Sequence, residues 1–367
     1  MLMNTSNYER PINQHETFIG RRVLVNKIYA RIGAGRPQSV SIVGDYKIGK
    51  SSLLWYLSHD NTKKAMLNEP DKYIFVSISC QALEPLTLKS LTSRIYQLSK
   101  KYITDSTEKE TESVSYNYLK KMVESLHTQN KKIIFFFDDF NHVTQNPAFP
   151  LEFFSFLRSL ANNYNLAYVT TSYEDLQKLV ISKDIGESPF FNIFTNMSLR
   201  GFEPEEINAL LNLYNNNGDA NCSDYKEKII DLAGTAPYAL KMACTLLQQM
   251  KNDGGLTDQE SFNRLETVLF ENLKEYHQNL WQGLEESYHD ILYLLASGKQ
   301  VQGAREYLLR DLSKKSYILT TNGKSKIASR VLQNFVLQIK GTGDDKTGLS
   351  DRIRHLWNRL FGGKTKI

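Results

Sequence analysis

"SIVGDYKIGKSSLLWYL", Ser41 to Leu57, joins a run of small and β-branched residues to an apolar helical pattern across a loop with two glycines. Val40, Ile42 and Val43 read as a buried strand, and Leu53, Leu54 and Leu57 fall at helical spacing. Between them, Gly44-Asp45-Tyr46-Lys47-Ile48-Gly49-Lys50-Ser51 satisfies every fixed position of G-x-x-x-x-G-K-[ST]. Such a loop turns backbone N–H groups inward, and the helix that follows adds the positive end of its dipole, so the spacing predicts a phosphate nest. Gly44, Asp45, Lys47, Ile48, Gly49, Lys50, Ser51 and Ser52 are the expected nucleotide-binding residues. Lys50 is assigned to the β- and γ-phosphates and to catalysis, and the Ser51 hydroxyl to Mg²⁺.

A phosphate loop requires an acid on a neighbouring strand. "KKIIFFFDDFNHV" (Lys131–Val143) supplies a continuous apolar run, Ile133 to Phe137, of the kind buried on both faces of a sheet, and it ends in Asp138 and Asp139. Ligands of open α/β sheets sit at the carboxyl ends of strands. Asp138 is therefore expected to hold Mg²⁺ through water, and Asp139 to orient or activate the attacking water. A third strand, Leu166–Val169, ends in Thr170, Thr171 and Ser172. Thr171 is carried as a nucleotide contact. Capping of a following helix (about 173–180) explains these hydroxyls as well.

Length, 41% hydrophobic content and 11% aromatics fit two or three globular domains. Cys80, Cys222 and Cys244 lack metal-ligand spacing and read as reduced thiols, which points to the cytoplasm. The first residues have no signal-like apolar core, and no run reaches membrane-span length. The net charge of +5 is uneven: by count, residues 289–367 carry +9 and residues 1–288 carry −4. A negatively charged partner is expected at the C-terminal part.

Strands are expected near 39–43, 73–79, 132–137, 166–171 and 194–199. Helices are expected near 23–32, 50–58, 86–103, 113–128, 150–162 and 173–180. This alternation predicts an α/β three-layer sandwich on a parallel sheet. The predicted organisation is a lead-in over 1–37, a phosphate-loop core over 38–202, a helical lid over 203–282 with "LAGTAPYALKMACTLLQQM" as its core helix, a helix–helix–hairpin–helix module over 283–340, a linker over 341–348 and a basic helix over 349–367. Asn322-Gly323 marks the hairpin.

"FIGRR" (Phe18–Arg22), the phosphate loop, the Asp-Asp strand, "VTTS", "LRGFEPEEI" and "LAGTAPYALK" follow one another as in STAND-type P-loop ATPases, the AAA-related signalling switches, which the chain resembles over roughly 15–340. The resemblance implies ATP/ADP and Mg²⁺ as cofactors, a helical lid and a C-terminal winged helix. It also implies a sheet with an extra strand between the phosphate-loop and acid strands. "YIFVSIS" (Tyr73–Ser79) sits where a further strand is required. By the same resemblance Arg21 or Arg22 and Pro237, within the Gly-x-x-Pro of Gly234 to Pro237, pack around the adenine. The family's arginine after the third-strand hydroxyls is replaced here by Tyr173, with Arg200 the nearest substitute, and no sensor repeat array is present in the sequence. The absence of an Asn-Lys-x-Asp segment also favours adenine over guanine.

Function read from this pattern is a slowly hydrolysing ATP-dependent switch that controls a partner protein. The alternatives are a DNA-associated ATPase and a housekeeping ATPase. For DNA, "AREYLLRDLSKKS" (Ala304–Ser316) would be the recognition helix; the competing use of the module is an intramolecular brake. In "LSDRIRHLWNRLFGGKTKI", Leu349, Ile353, Leu356, Trp357, Leu360 and Phe361 form one helical stripe ringed by basic residues. It suits an anionic membrane surface or a partner groove through 349–361, or folds back on its own domain. A nucleotide-dependent oligomer is a further expected state.

Overall fold

The computed structural model describes residues 18–102, 116–217, 222–252, 259–301, 303 and 305–341. The chain divides into two compact units, one of residues 1–223 with 236–241, the other of residues 224–235 with 242–367.

The first unit is built on a five-stranded parallel sheet. In chain order its elements are α1 (Arg22–Ile32), β1 (Ser39–Val43), α2 (Lys50–Ser58), α3 (Asp60–Met66), β2 (Tyr73–Ser79), α4 (Leu88–Ser99), α5 (Tyr116–Thr128), β3 (Lys132–Asp138), α6 (Asn141–Thr144), α7 (Leu151–Asn163), β4 (Leu166–Ser172), α8 (Lys183–Gly186), β5 (Phe194–Ser198) and α9 (Pro204–Asn217). The strand order is β2-β3-β4-β1-β5, all parallel. The strand inserted between the phosphate-loop strand and the acid strand is therefore β4, and Tyr73–Ser79 forms the edge beside β3.

The apolar run of β3 explains the three layers. Successive side chains of a strand point to opposite faces. Ile133, Phe135 and Phe137 enter a core shared with Leu91 and Ile95 of α4, Leu119 and Val123 of α5, and Phe153 and Leu157 of α7. Ile134 and Phe136 enter the opposite core with Ile28 and Ile32 of α1 and Leu53 and Leu57 of α2. Phe136 is fully buried; its truncation to alanine would cost about 3–5 kcal/mol.

Two expected helices differ. Over 173–180 there is only a 3₁₀ turn at Leu176–Lys178, capped by the Asp175 side chain, which accepts from the Gln177 N–H. The Ser172 hydroxyl donates to the Glu174 carbonyl and caps no helix. "LAGTAPYALKMACTLLQQM" is not one helix but two, α10 (Lys226–Ala233) and α11 (Pro237–Asn252). Gly234 at φ 72 ends the first, and Pro237 takes the first position of the second, where its missing N–H costs nothing.

In the second unit α12 (Gln259–Gln282) is followed by α13 (Glu286–Ala296), α14 (Glu306–Lys314), a hairpin of β6 (Ile318–Thr321) and β7 (Lys324–Ile327), and α15 (Arg330–Gly341). Asn322 and Gly323 both have positive φ, 51 and 74, as the two-residue turn demands. Arg330 at the start of α15 pairs with Asp231 of α10 and with Glu266 of α12, the latter at 3.3 Å. Ala304 and the segment 342–367, with its apolar stripe, lie outside the described residues. No described helix is long and apolar enough to cross a membrane.

Candidate nucleotide-binding site

At the carboxyl ends of β1, β3 and β4 the chain is knitted by backbone bonds that leave little freedom. The Gly44 N–H donates to the Ser172 carbonyl at 3.1 Å, and the Phe140 N–H to the Thr171 carbonyl at 2.9 Å. Gly44 admits no side chain: a Cβ there would lie 2.8 Å from Ile48 Cγ2 and 2.9 Å from the Leu199 carbonyl oxygen. Gly49, the residue before α2, has φ 103, which an L side chain rarely adopts. These two glycines fold the loop back on itself so that Lys50, Ser51 and Ser52 open the helix. The Lys50 ammonium donates to the carbonyls of Gly44 (2.9 Å) and Asp45 (3.0 Å), across the mouth of the loop.

The acids are held from β4. The Thr171 hydroxyl donates to Asp138 Oδ1 at 2.6 Å and accepts the Asp139 N–H at 2.8 Å. Thr171 is fully buried. Its hydroxyl is engaged with both acids at the carboxyl end of β4. Asp139 has φ 52, a left-handed conformation costly for a residue with a Cβ. Burial and the neighbouring Asp138 push its carboxyl above the ordinary range, while Lys50 and His142 act in the opposite direction.

The remaining expected contacts separate. Arg21 at φ 61 enters a clamp. Its backbone N–H bonds to Glu206 Oε1, its Nη1 donates to the Gly201 carbonyl at 3.1 Å and reaches Glu206 Oε2 at 3.5 Å, and its guanidinium lies 4.6 Å from the Phe202 ring centroid. Nη2 of Arg21 is buried without a hydrogen-bond partner. Arg22, the first residue of α1, is exposed, as is Arg200 after β5. Pro237 opens α11, and the next residue, Tyr238, lies under the Lys47 ammonium at 4.0 Å. Glu206 and Tyr238 were not among the expected site residues. Glu206 lies in the first turn of the helix that Pro204 opens, where acids are common, and Tyr238 carries no motif signal.

The donors present suit Mg²⁺ and a polyphosphate. Ser51 and Asp138 offer hard oxygen ligands of the kind Mg²⁺ combines with water, and a glycine-bearing turn that opens a helix is the kind of concavity in which backbone N–H groups meet phosphate oxygens.

Sheet order, phosphate loop and paired acids define a P-loop NTPase. The profile of the family described as Novel STAND NTPase 2 matches residues 34–301, more than half of the chain. The chain belongs to that STAND family. In fold it is similar to the Walker-type ATPase PABY2304 of Pyrococcus abyssi, at TM-score 0.60 and 18% identity, covering 90% of this chain and 99% of the other. It is also similar to the ORC2 protein of Aeropyrum pernix, solved with ADPNP and ADP, at TM-score 0.52 and 15% identity, covering 89% and 97%. No curated protein matches the chain in sequence.

Proposed function

We propose that this protein is an ATP-binding, slowly hydrolysing switch whose ATP and ADP states differ in conformation and thereby control a partner protein. The observation that carries the reading is the meeting of Lys50, Asp138, Asp139 and Thr171 at adjacent strand ends beside the Gly44–Ser51 loop. Bound Mg²⁺ would draw charge from the β- and γ-phosphates as it builds up. Lys50 would exchange its two loop carbonyls for phosphate oxygens. Asp138 and Ser51 would hold the metal, and Asp139, kept at a fixed angle by Thr171, would take a proton from water.

Arg21 and Pro237 are proposed as contacts on the adenine side, with the unpartnered Nη2 of Arg21 as the available donor. Residues 203–282 would act as a lid and 283–340 as a winged helix. The test is amide exchange of the full-length protein with ATP plus Mg²⁺ against ADP plus Mg²⁺. A switch gives different protection over 203–340 in the two states. Identical protection in both sinks the switch and leaves a plain ATPase.

Docking through 349–361 is part of the same proposal and rests on the apolar stripe in the sequence. Buried large side chains contribute about 1.5–3 kcal/mol each, and each basic residue near an anionic surface about 1 kcal/mol. Removal of 349–367 should abolish sedimentation with anionic vesicles and leave ATP binding intact. A wild-type chain that ignores anionic and neutral vesicles alike is no lipid binder, and the stripe then serves a protein groove or folds back on its own domain.

A second reading, DNA contact, is favoured by one observation. Arg305, Arg310 and Lys314 are exposed on or beside α14, whose Leu308 and Leu312 face the core, and Lys324 and Lys326 are exposed on the hairpin. Salt-sensitive binding of plain duplex supports it; no binding at low salt removes it.

A further inference from the structure

Lys47 is the one lysine inside the phosphate loop besides Lys50, and its surroundings are unusual for a phosphate ligand. Its backbone has φ 56, which fixes the direction in which the side chain leaves the loop. The ammonium lies 4.0 Å from the ring centroid of Tyr238 and 5.4 Å from that of Tyr46. Tyr238 is 8% exposed and Tyr46 44% exposed, so the stronger and drier of the two contacts is the one to Tyr238. Tyr238 lies in the first turn of α11, within the Ala236–Lys241 stretch that groups with the sheet unit. A cation over an aromatic face is held by the ring quadrupole, an attraction that gains strength away from water.

We propose that Tyr238 is a positioning residue for Lys47: it holds the ammonium aside in the nucleotide-free protein and yields it to the γ-phosphate of ATP, so that ATP binding releases the first turn of α11 and ADP binding does not. The inference rests on the phosphate-loop reading above and adds regulation to it. A lysine ammonium is a point charge on a flexible stem and can pivot between the two sites. Attraction between full charges in the loop outweighs attraction to a quadrupole, and ATP offers the additional charged group that ADP lacks. Breaking the Tyr238 contact subtracts from apparent ATP affinity, as any equilibrium that holds a site closed does.

The experiment is titration of the full-length protein with ATP and with ADP, each with Mg²⁺, in wild type, Tyr238→Leu, Tyr238→Phe, Lys47→Met and the double variant Lys47→Met/Tyr238→Leu. Tyr238→Leu should tighten ATP by about 2- to 30-fold, the span a cation–π contact covers, and leave ADP within twofold. Tyr238→Phe keeps the ring and should behave as wild type. In the Lys47→Met background Tyr238→Leu should have no effect on ATP. Equal shifts for ATP and ADP, or an effect of Tyr238→Leu that survives without Lys47, overturn the proposal. If Tyr238→Leu does not fold, Lys47→Met carries the test, since it should weaken ATP more than ADP, and equal weakening is contradictory.

Amide exchange of 238–241 without nucleotide gives a separate readout. It should quicken in Lys47→Met and stay at the wild-type rate in Tyr238→Phe. Unchanged exchange in Lys47→Met removes the latch even where nucleotide binds. Wild-type affinity retained in Lys50→Ala removes the phosphate-loop reading instead, and the γ-phosphate part of the proposal with it.

Discussion

The Thr171 hydroxyl donates to Asp138 Oδ1 at 2.6 Å and at the same time accepts the N–H of Asp139. One side chain on β4 thus fixes both acids at the end of β3. It can do so because β4 is the strand inserted between β1 and β3, which places Thr171 beside the acids and Ser172 beside the loop.

Removing that hydroxyl should separate geometry from binding. Thr171→Val leaves a backbone N–H without its acceptor and a carboxylate oxygen without its donor, each worth about 1–3 kcal/mol when buried. We predict a lower denaturation midpoint and a loss of Mg²⁺-dependent hydrolysis, with Thr171→Ser close to wild type in both. Hydrolysis at the wild-type rate in Thr171→Val would show that the acids hold their places without it.

Asp139 carries a built-in cost. Its carboxyl is raised by burial and by Asp138. For an acid whose folded pKa exceeds the unfolded one, the folded state binds the proton more tightly, so stability falls as pH rises through that interval, and the full cost is present above it. Asp139→Asn should therefore raise the thermal midpoint at neutral pH, by a margin that shrinks on acidification toward the ordinary carboxylate range. The same variant should keep ATP binding and lose hydrolysis, a trade expected where a site is built at the expense of stability. Calorimetric scans across pH check the first point and phosphate release the second. A lower midpoint for Asp139→Asn at neutral pH contradicts the assignment.

Glu206 closes the clamp on the lead-in segment. Its carboxylate accepts from the Arg21 backbone, the Arg21 guanidinium and the Glu203 N–H. The side chains of Arg21 and Glu206 are 9% and 14% exposed. Removing one partner of a largely buried pair strands the other charge, at a cost of about 3 kcal/mol. Glu206→Ala should destabilise the first unit by about that amount in denaturant titration and weaken nucleotide binding less than Lys50→Ala does. A cost below about 0.5 kcal/mol would put the pair among surface ion pairs.

The sheet strands were legible because their apolar runs were short, β-branched or aromatic, and bounded by polar residues; Lys132–Asp138 is the clearest case. The phosphate loop was legible because chemistry fixes its spacing. Two elements were misread for local reasons. The segment after Ser172 has helical composition, yet Asp175, Ser172 and Glu174 bond to nearby backbone, and Asn196 of β5 bonds to Asp175 at 2.6 Å. Competition of this kind is invisible to periodicity. The break at Gly234 was visible as a glycine and a proline, but the apolar spacing on both sides favoured one helix. The Thr171–Asp138, Arg21–Glu206 and Lys47–Tyr238 pairs were not legible, because they join residues between 33 and 191 positions apart.

The central claim is that the Gly44–Ser51 loop binds ATP through Lys50. Isothermal calorimetry of ATP with Mg²⁺ against wild type and Lys50→Ala tests it most directly. Saturable binding to wild type and a sharp loss of affinity in a still cooperatively folding Lys50→Ala are expected. Equal ATP affinity in the two proteins would contradict it.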